Sequence, residues 1–164
     1  MSTVHYPLST NKVFDLVIIG AGPAGISAAF EAKKAGLDYV VIEKGLIGNT
    51  IYNYPVGLTV FSTVNELEFN EGDLKPAREK PTREELLSYY VRFVLENELN
   101  VLTETDVIDV FQLPHANALL MGDSSQRVFN VFTTSGDFYA RNVLFAIGAM
   151  DHPRRLNVPG EDLP

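Results

Sequence analysis

The 164 residues are one domain's worth of chain, and 46% apolar with 21% charged residues is the balance of an ordinary globular protein. With no cysteine, disulfides, thiolate metal sites and dithiol redox motifs are excluded from this chain. No apolar run reaches the roughly 18 residues of a membrane helix, and a net charge of −8 without a dense Lys/Arg cluster argues against nucleic acid as a partner.

Residues 1–12 read as a loose arm. They mix polar residues with His5 and Pro7 and have no basic start followed by an apolar stretch. A secretory leader is therefore not expected, and a cytoplasmic protein is the default. Residues 13–19 (VFDLVII) form a short run rich in β-branched residues, which predicts a buried parallel strand ending at Gly20. Residues 23–35 predict a helix, with Ile26, Ala29 and Phe30 at helical spacing and Gly36 as its stop. Residues 39–43 predict a second buried strand, completing a β-α-β unit with a parallel sheet.

Residues 44–81 are irregular and hold Gly45, Gly48, Pro55, Gly57, Gly72, Pro76 and Pro81; a segment of that length inside a compact domain is usually functional. Glu66, Glu68, Glu71 and Asp73 within it read as a solvated loop. Thr82 and Glu85 form a capping box for a helix reaching about Asn97, with Leu86, Leu87, Tyr90, Phe93 and Val94 on its core face. Val101-Leu102 opens the next strand. Residues 106–113 and 127–134 predict antiparallel strands, 138–141 a third, with a turn at Ser135-Gly136-Asp137 and a loop over 116–126. Residues 143–147 predict another buried strand stopping at Gly148, and 152–164 an extended linker.

The chemistry-bearing motif is Gly20-Ala21-Gly22-Pro23-Ala24-Gly25. A GxGxxG sequence alone is weak, but this one follows a predicted strand, opens a predicted helix and is followed by an acid, Glu43, at the end of the next strand. That context is the dinucleotide-binding fingerprint. Gly20 allows the tight turn, Gly22 lets the backbone approach a pyrophosphate, and Gly25 permits close helix–strand packing. The pyrophosphate charge suits free N–H groups at a helix N-terminus, and Glu43 can accept hydrogen bonds from ribose hydroxyls. Other motifs carry less. His5, His115 and His152 lack metal-ligand spacing. Asp106 and Asp109 are expected on opposite faces of a strand and do not form a catalytic pair. Arg154-Arg155 reads as a solvated linker pair, and no Gly-x-Ser-x-Gly elbow occurs.

The order of elements after Glu43 resembles the FAD domain of the flavoproteins that bind two dinucleotides: a long loop, a helix, an antiparallel meander and a strand ending in Ala146-Ile147-Gly148. In those proteins the strand ends in Ala-Thr-Gly, so Ile147 is a departure. Asn53-Tyr54-Pro55 resembles the loop bordering the flavin ring in thioredoxin reductase-like enzymes. Glu43-Lys44-Gly45, Phe61-Ser62-Thr63, Lys80-Pro81-Thr82-Arg83 and Ser88-Tyr89-Tyr90 are similar to the bacillithiol-disulfide reductases of the pyridine nucleotide-disulfide oxidoreductase superfamily. Residues 157–164 resemble the crossover into an NADPH domain.

The resemblance implies an α/β fold, a three-layer FAD-binding Rossmann-like domain with a parallel sheet, helices and a small antiparallel meander, incomplete at its C-terminus. Residues 1–12 would be an arm, 13–150 the partial FAD-binding domain, and 151–164 a linker toward an absent NADPH domain. Gly20, Gly22, Ala24 and Gly25, with Pro23 between them, would hold the pyrophosphate by main chain. Glu43 and Lys44 would hold the adenosine ribose, and the Val107 backbone would meet adenine. Asn53 would face the isoalloxazine and Gly148 would let it pass, with Ala146 also at the cofactor; His152, just beyond, is expected to be an ordinary loop histidine. FAD is the implied cofactor, and NADPH or NADH is implied only for a full-length parent. The implied parent is a flavin oxidoreductase acting on a small-molecule or low-molecular-weight disulfide acceptor. The family's reductases are dimers or larger, which leaves a homo-oligomer open, and neither nucleic acid nor membrane is expected as a partner. The reductases carry a cysteine at the position of Ala24, and Ala24 cannot form a mixed disulfide, so exchange by that route is excluded. A flavin-dependent monooxygenase parent and a non-catalytic, truncated FAD-binding fragment are the alternatives.

Overall fold

The computed structural model describes residues 12–114, 127–149 and 158–160. All of the expected 116–126 loop, all of the 1–12 arm but its last residue, most of the linker, and His5, His115, His152, Arg154 and Arg155 lie outside them. In chain order the elements are strands β1 (Val13–Phe14) and β2 (Leu16–Ile19), helix α1 (Pro23–Lys34), strand β3 (Tyr39–Ile42), helices α2 (Asn49–Tyr52), α3 (Val64–Leu67) and α4 (Arg83–Glu96), and strands β4 (Val101–Leu102), β5 (Val107–Gln112), β6 (Phe129–Thr133), β7 (Gly136–Ala140) and β8 (Val143–Phe145).

Two four-stranded sheets result. One is parallel, in the order β4-β3-β2-β8, and the other runs β1-β7-β6-β5. In the second, β5, β6 and β7 form the antiparallel meander and β1 joins β7 in parallel. Side chains alternate across the parallel sheet. Ile18 and Val41 face the helices in a core with Ile26, Ala29, Leu86, Tyr90 and Phe93. Val17, Ile19, Val40 and Ile42 face the meander with Phe14, Val131, Phe138 and Ala140. Helices, parallel sheet and meander thus make three layers, and the central strands β2 and β3 of the inner sheet are buried on both faces, as their unbroken apolar runs require.

The strand expected over 13–19 is split at Asp15, so that its two halves join different sheets. The Asp15 carboxylate accepts the Asp38 N–H at 3.0 Å and Arg141 Nη1 at 2.6 Å, while the Asp15 N–H donates to the Asp38 carbonyl at 2.8 Å. The Asp38 N–H foremost, with Arg141, holds the Asp15 carboxyl below its usual range. Helix α1 ends as its sequence requires. Gly36 takes φ +70°, the Leu37 N–H donates to the Ala32 carbonyl and the Gly36 N–H to that of Lys33, each at 3.0 Å.

Helix α4 starts with the expected capping box: Thr82 Oγ1 accepts the Glu85 N–H, and Glu85 Oε2 accepts the Thr82 N–H at 2.8 Å. Its buried face is Leu86, Tyr89, Tyr90, Phe93 and Val94, so Tyr89 replaces the expected Leu87, which is half-buried. The reason is the loop below. The Tyr89 hydroxyl accepts the Phe69 N–H at 2.7 Å and its ring stacks on Phe69. Burial pushes the Tyr90 phenol up to about 12, and that hydroxyl donates to the Leu67 carbonyl at 3.2 Å.

Three further expectations are corrected. The hairpin between β6 and β7 turns at Thr134-Ser135, one residue early, because Gly136 at φ +116° already pairs with Thr133. A bulge between Val107 and Asp109 breaks the alternation on which the placement of Asp106 and Asp109 rested; both are exposed. The buried strand expected over 143–147 is an edge: its ladder ends at Phe145, and Phe145 and Ile147 are 59% and 62% exposed.

Candidate functional site

The glycine loop leaves the C-terminal end of β2, between the ends of β3 and β8. The chain passes from β2 to β3 on one side of the sheet and later returns to β8 on the other, so the loop lies where strand order reverses. In open parallel sheets that is where a crevice forms outside the strand ends.

The three glycines of the motif are required for different reasons. Gly20 takes φ +107°, and a Cβ there would sit 2.4 Å from the Ala146 carbonyl oxygen. A Cβ on Gly25 would sit 1.9 Å from the Gly20 carbonyl oxygen, so its absence lets α1 lie against the strand end. Gly22, at φ −79° and ψ −177°, has no heavy atom within 4 Å of an added Cβ. Nothing within the protein requires glycine there; what a side chain would obstruct is the open space outside.

That open face lies at the start of α1. Pro23 occupies the first turn, no side chain caps the helix and no acid stands in that turn. The first intrahelical bond runs from the Ile26 N–H to the Gly22 carbonyl at 2.9 Å. The amides of Gly22, Ala24 and Gly25 are therefore the helix's orphan donors, at the positive end of its dipole. Pro23 and Ala24 are exposed. The donor set consists of amides with no competing acid, and it fits a diphosphate in an extended backbone cradle that a Cβ at position 22 would fill.

Glu43 closes one flank. Its residue is only 7% exposed, yet both carboxylate oxygens have donors: Oε2 accepts the Ala21 N–H at 2.7 Å and Oε1 the Gly45 N–H at 2.9 Å. These charge-assisted bonds offset the burial of the charge. Each oxygen keeps a further lone pair that a hydroxyl could use. The main chain of Glu43 donates to the Leu102 carbonyl and accepts the Thr105 N–H, which ties the β3 end to the segment leading into β5. Val107, half-buried, begins β5 two residues beyond Thr105, and Lys44 is exposed beside Glu43.

The other flank is α2. The Gly48 N–H donates to the Ala21 carbonyl at 2.9 Å, so this one-turn helix starts on the glycine loop. Asn53 is its exposed C-cap. On the β8 side the Ala146 carbonyl packs against Gly20, and Gly148 takes φ +72° with open space around it. The structure thus gathers Gly20, Gly22, Pro23, Ala24, Gly25, Glu43, Lys44 and Ala146 at the strand ends, with Asn53 and Gly148 on connections leading from them and Val107 at the start of β5. A polar groove of about 550 Å3 beside α4, lined by Asp73, Lys75, Glu85, Ser88 and Arg92 among others, shares no residue with this cluster. Three acids (Asp73, Glu84 and Glu85) face two bases (Lys75 and Arg92) there, and the glycine loop carries the more specific geometry.

Sequence reasoning missed three participants. Gly45 lies against the Asn49 side chain, 2.5 Å from its Oδ1 to where a Cβ would stand, and donates its N–H to Glu43; Gly48 takes φ +67° as the cap of α2. Arg83 holds the Tyr52 carbonyl. Gly45 and Gly48 were signalled as glycines in an irregular stretch, Gly45 and Arg83 also as parts of resembling segments.

Residues 17–164 match the family model described as pyridine nucleotide-disulphide oxidoreductase. The chain is 35% identical over 148 residues to bacilliredoxin reductase Bdr of Bacillus subtilis, covering 90% of this chain and 42% of that protein. The solved bacillithiol disulfide reductase Bdr (YpdA) from Staphylococcus aureus superposes with a TM-score of 0.78 at 32% identity, covering 93% of this chain and 44% of that one. A flavin-containing monooxygenase from Stenotrophomonas maltophilia shares the fold, with a TM-score of 0.68 at 24% identity over 82% of this chain and 38% of its own. The chain spans less than half the length of each of these proteins.

Proposed function

Because the chain belongs to the pyridine nucleotide-disulphide oxidoreductase family, we propose that it is the FAD-binding portion of an NAD(P)H-dependent flavin oxidoreductase of the disulfide reductase type. The observation that carries this reading is the open backbone face at Gly22, set at the uncapped start of α1 and flanked by the buried Glu43. The amides of Gly22, Ala24 and Gly25 hold the pyrophosphate. Glu43 accepts ribose hydroxyls while fixing the Ala21 and Gly45 amides, and Lys44 lies beside it. The Val107 backbone meets adenine, and Asn53, Ala146 and Gly148 border the ring. FAD, when bound, supplies the hydride and electron transfer; the chain supplies binding and orientation.

In this reading residues 13–150 form the FAD domain and 151–164 lead onward to an NADPH or NADH domain of the parent, a cytoplasmic homo-oligomer acting on a low-molecular-weight disulfide. No helix among the described residues is long and apolar enough to cross a membrane. Ala24, exposed on the first turn of α1, offers no thiol to an incoming disulfide. That residue favours a second reading, in which the parent is a flavin-dependent monooxygenase that needs no thiol.

The test is the visible absorption of the purified, desalted chain and its thermal shift with FAD. Flavin bands retained on the protein are expected. Added FAD at about 100 times its dissociation constant stabilises by roughly 2.7 kcal/mol, which raises Tm by roughly 5–10 °C in a domain of this size. A folded, colourless chain whose Tm FAD leaves unmoved contradicts the proposal.

A further inference from the structure

Arg83 lies outside the glycine loop, and all three of its guanidinium nitrogens are engaged. Its side chain is only 13% exposed. Nε donates to the Tyr52 carbonyl at 3.1 Å, Nη2 donates to the same oxygen, and Nη1 donates to Glu84 Oε1 at 2.8 Å. The guanidinium carbon also lies 5.4 Å from the centre of the Tyr52 ring. Glu84 passes the contact on: its two carboxylate oxygens accept the Gly57 N–H at 3.2 and 3.3 Å. Side-chain hydrogen bonding from Arg83, then the Gly57 amide among the backbone donors, holds the Glu84 carboxyl below its usual range.

This pair grips the two ends of one short loop. Tyr52 immediately precedes Asn53, and Gly57 ends the exposed stretch that holds Pro55 and Val56. The near end is also tied to the nucleotide site, since α2 starts from the Gly48 amide bonded to the Ala21 carbonyl. A dinucleotide with its diphosphate on α1 and its adenosine beside Glu43 must send its other half away from Glu43. Four residues of α2 carry the chain about 6 Å along the helix axis, from the Gly48 anchor on the glycine loop to Asn53.

We infer that Arg83, through Glu84 and the Tyr52 carbonyl, is a positioning residue that fixes the Asn53–Gly57 loop against the ring half of the dinucleotide. The inference rests on the FAD reading above. The planar fork matters: a lysine can serve the Tyr52 carbonyl but cannot bridge it to Glu84 with parallel donors.

The test compares FAD with ADP, which has the diphosphate and adenosine but no ring. Dissociation constants are measured for the original chain, Arg83→Ala and Arg83→Lys, together with the flavin absorption bands of each FAD complex. Losing hydrogen bonds to a charged group predicts that Arg83→Ala weakens FAD by about tenfold while ADP is unchanged. The flavin bands shift, and Arg83→Lys recovers part of the FAD-to-ADP affinity ratio. A ratio and spectrum unchanged in Arg83→Ala overturn the positioning role and leave the FAD reading standing. Equal weakening of both ligands marks Arg83 as merely structural and also overturns it. Failure of the original chain to bind FAD overturns the FAD reading itself and this inference with it.

Discussion

Gly25→Ala destabilises the chain by at least about 3 kcal/mol, the upper range for forcing atoms into a packed interior. The reason is the partner of the added carbon. A Cβ at position 25 would sit 1.9 Å from the Gly20 carbonyl oxygen and 3.5 Å from the Ala146 Cβ. The first of these is backbone, in a loop whose own φ of +107° only glycine takes readily, so no side-chain rotation relieves the clash. Helix α1 must move off the strand end, and Ile26 and Ala29, both fully buried, leave the core with it. Thermal denaturation reads the effect as a loss of roughly 6–12 °C, or as failure to accumulate soluble protein. Gly36→Ala is the control. It places a side chain at φ +70° with nothing within 4 Å, so it isolates backbone strain from collision and costs about 1 kcal/mol. Equal effects from the two substitutions would contradict the packing role assigned to Gly25.

Glu43→Ala destabilises by about 2–4 kcal/mol, the cost of leaving the buried Ala21 amide and the part-buried Gly45 amide without acceptors. Glu43→Gln costs less, because its amide oxygen still serves one of them while its NH2 group faces the other. Hydrogen exchange of the Ala21 and Gly45 amides locates the change: both accelerate in Glu43→Ala, one in Glu43→Gln. A Tm for Glu43→Ala within 1–2 °C of the original would show that the carboxylate does not brace the loop.

Glu43 also marks the boundary of what the sequence made legible. An acid after the second strand was visible from its position. Its direction was not: the carboxylate turns inward onto the glycine loop because the Ala21 amide, 22 residues earlier, presents a buried donor. Features with local causes were readable. The capping box of α4, the stop at Gly36, the β-α-β unit and the meander all follow from spacing over a few residues. The split at Asp15 was not readable, since it depends on Asp38 and on Arg141, 126 residues away. The exposure of β8 was missed for a related reason. An apolar run shows that a strand can be buried on both faces, not that it stands at an edge. Tyr89 displaced Leu87 from the buried face of α4 because Phe69 lies beneath it, and helical periodicity does not record which loop packs below. In the site, the glycine loop was legible because its geometry is written in glycines. The Arg83–Glu84 grip on the following loop was not, because a charge pair in the first turn of a helix reads as ordinary surface.

The central claim is that Gly22 is glycine for a ligand and not for the fold. It is tested most directly by measuring the FAD dissociation constant and the ligand-free Tm of Gly22→Ala beside those of the original chain. The backbone at φ −79° accepts alanine and the added carbon meets no protein atom, so the ligand-free stability should change by no more than about 1 kcal/mol. FAD affinity should fall by about tenfold or more, as a loss of at least about 1.4 kcal/mol requires. An unchanged FAD affinity in a variant of unchanged stability would contradict the assignment of this loop as the pyrophosphate cradle.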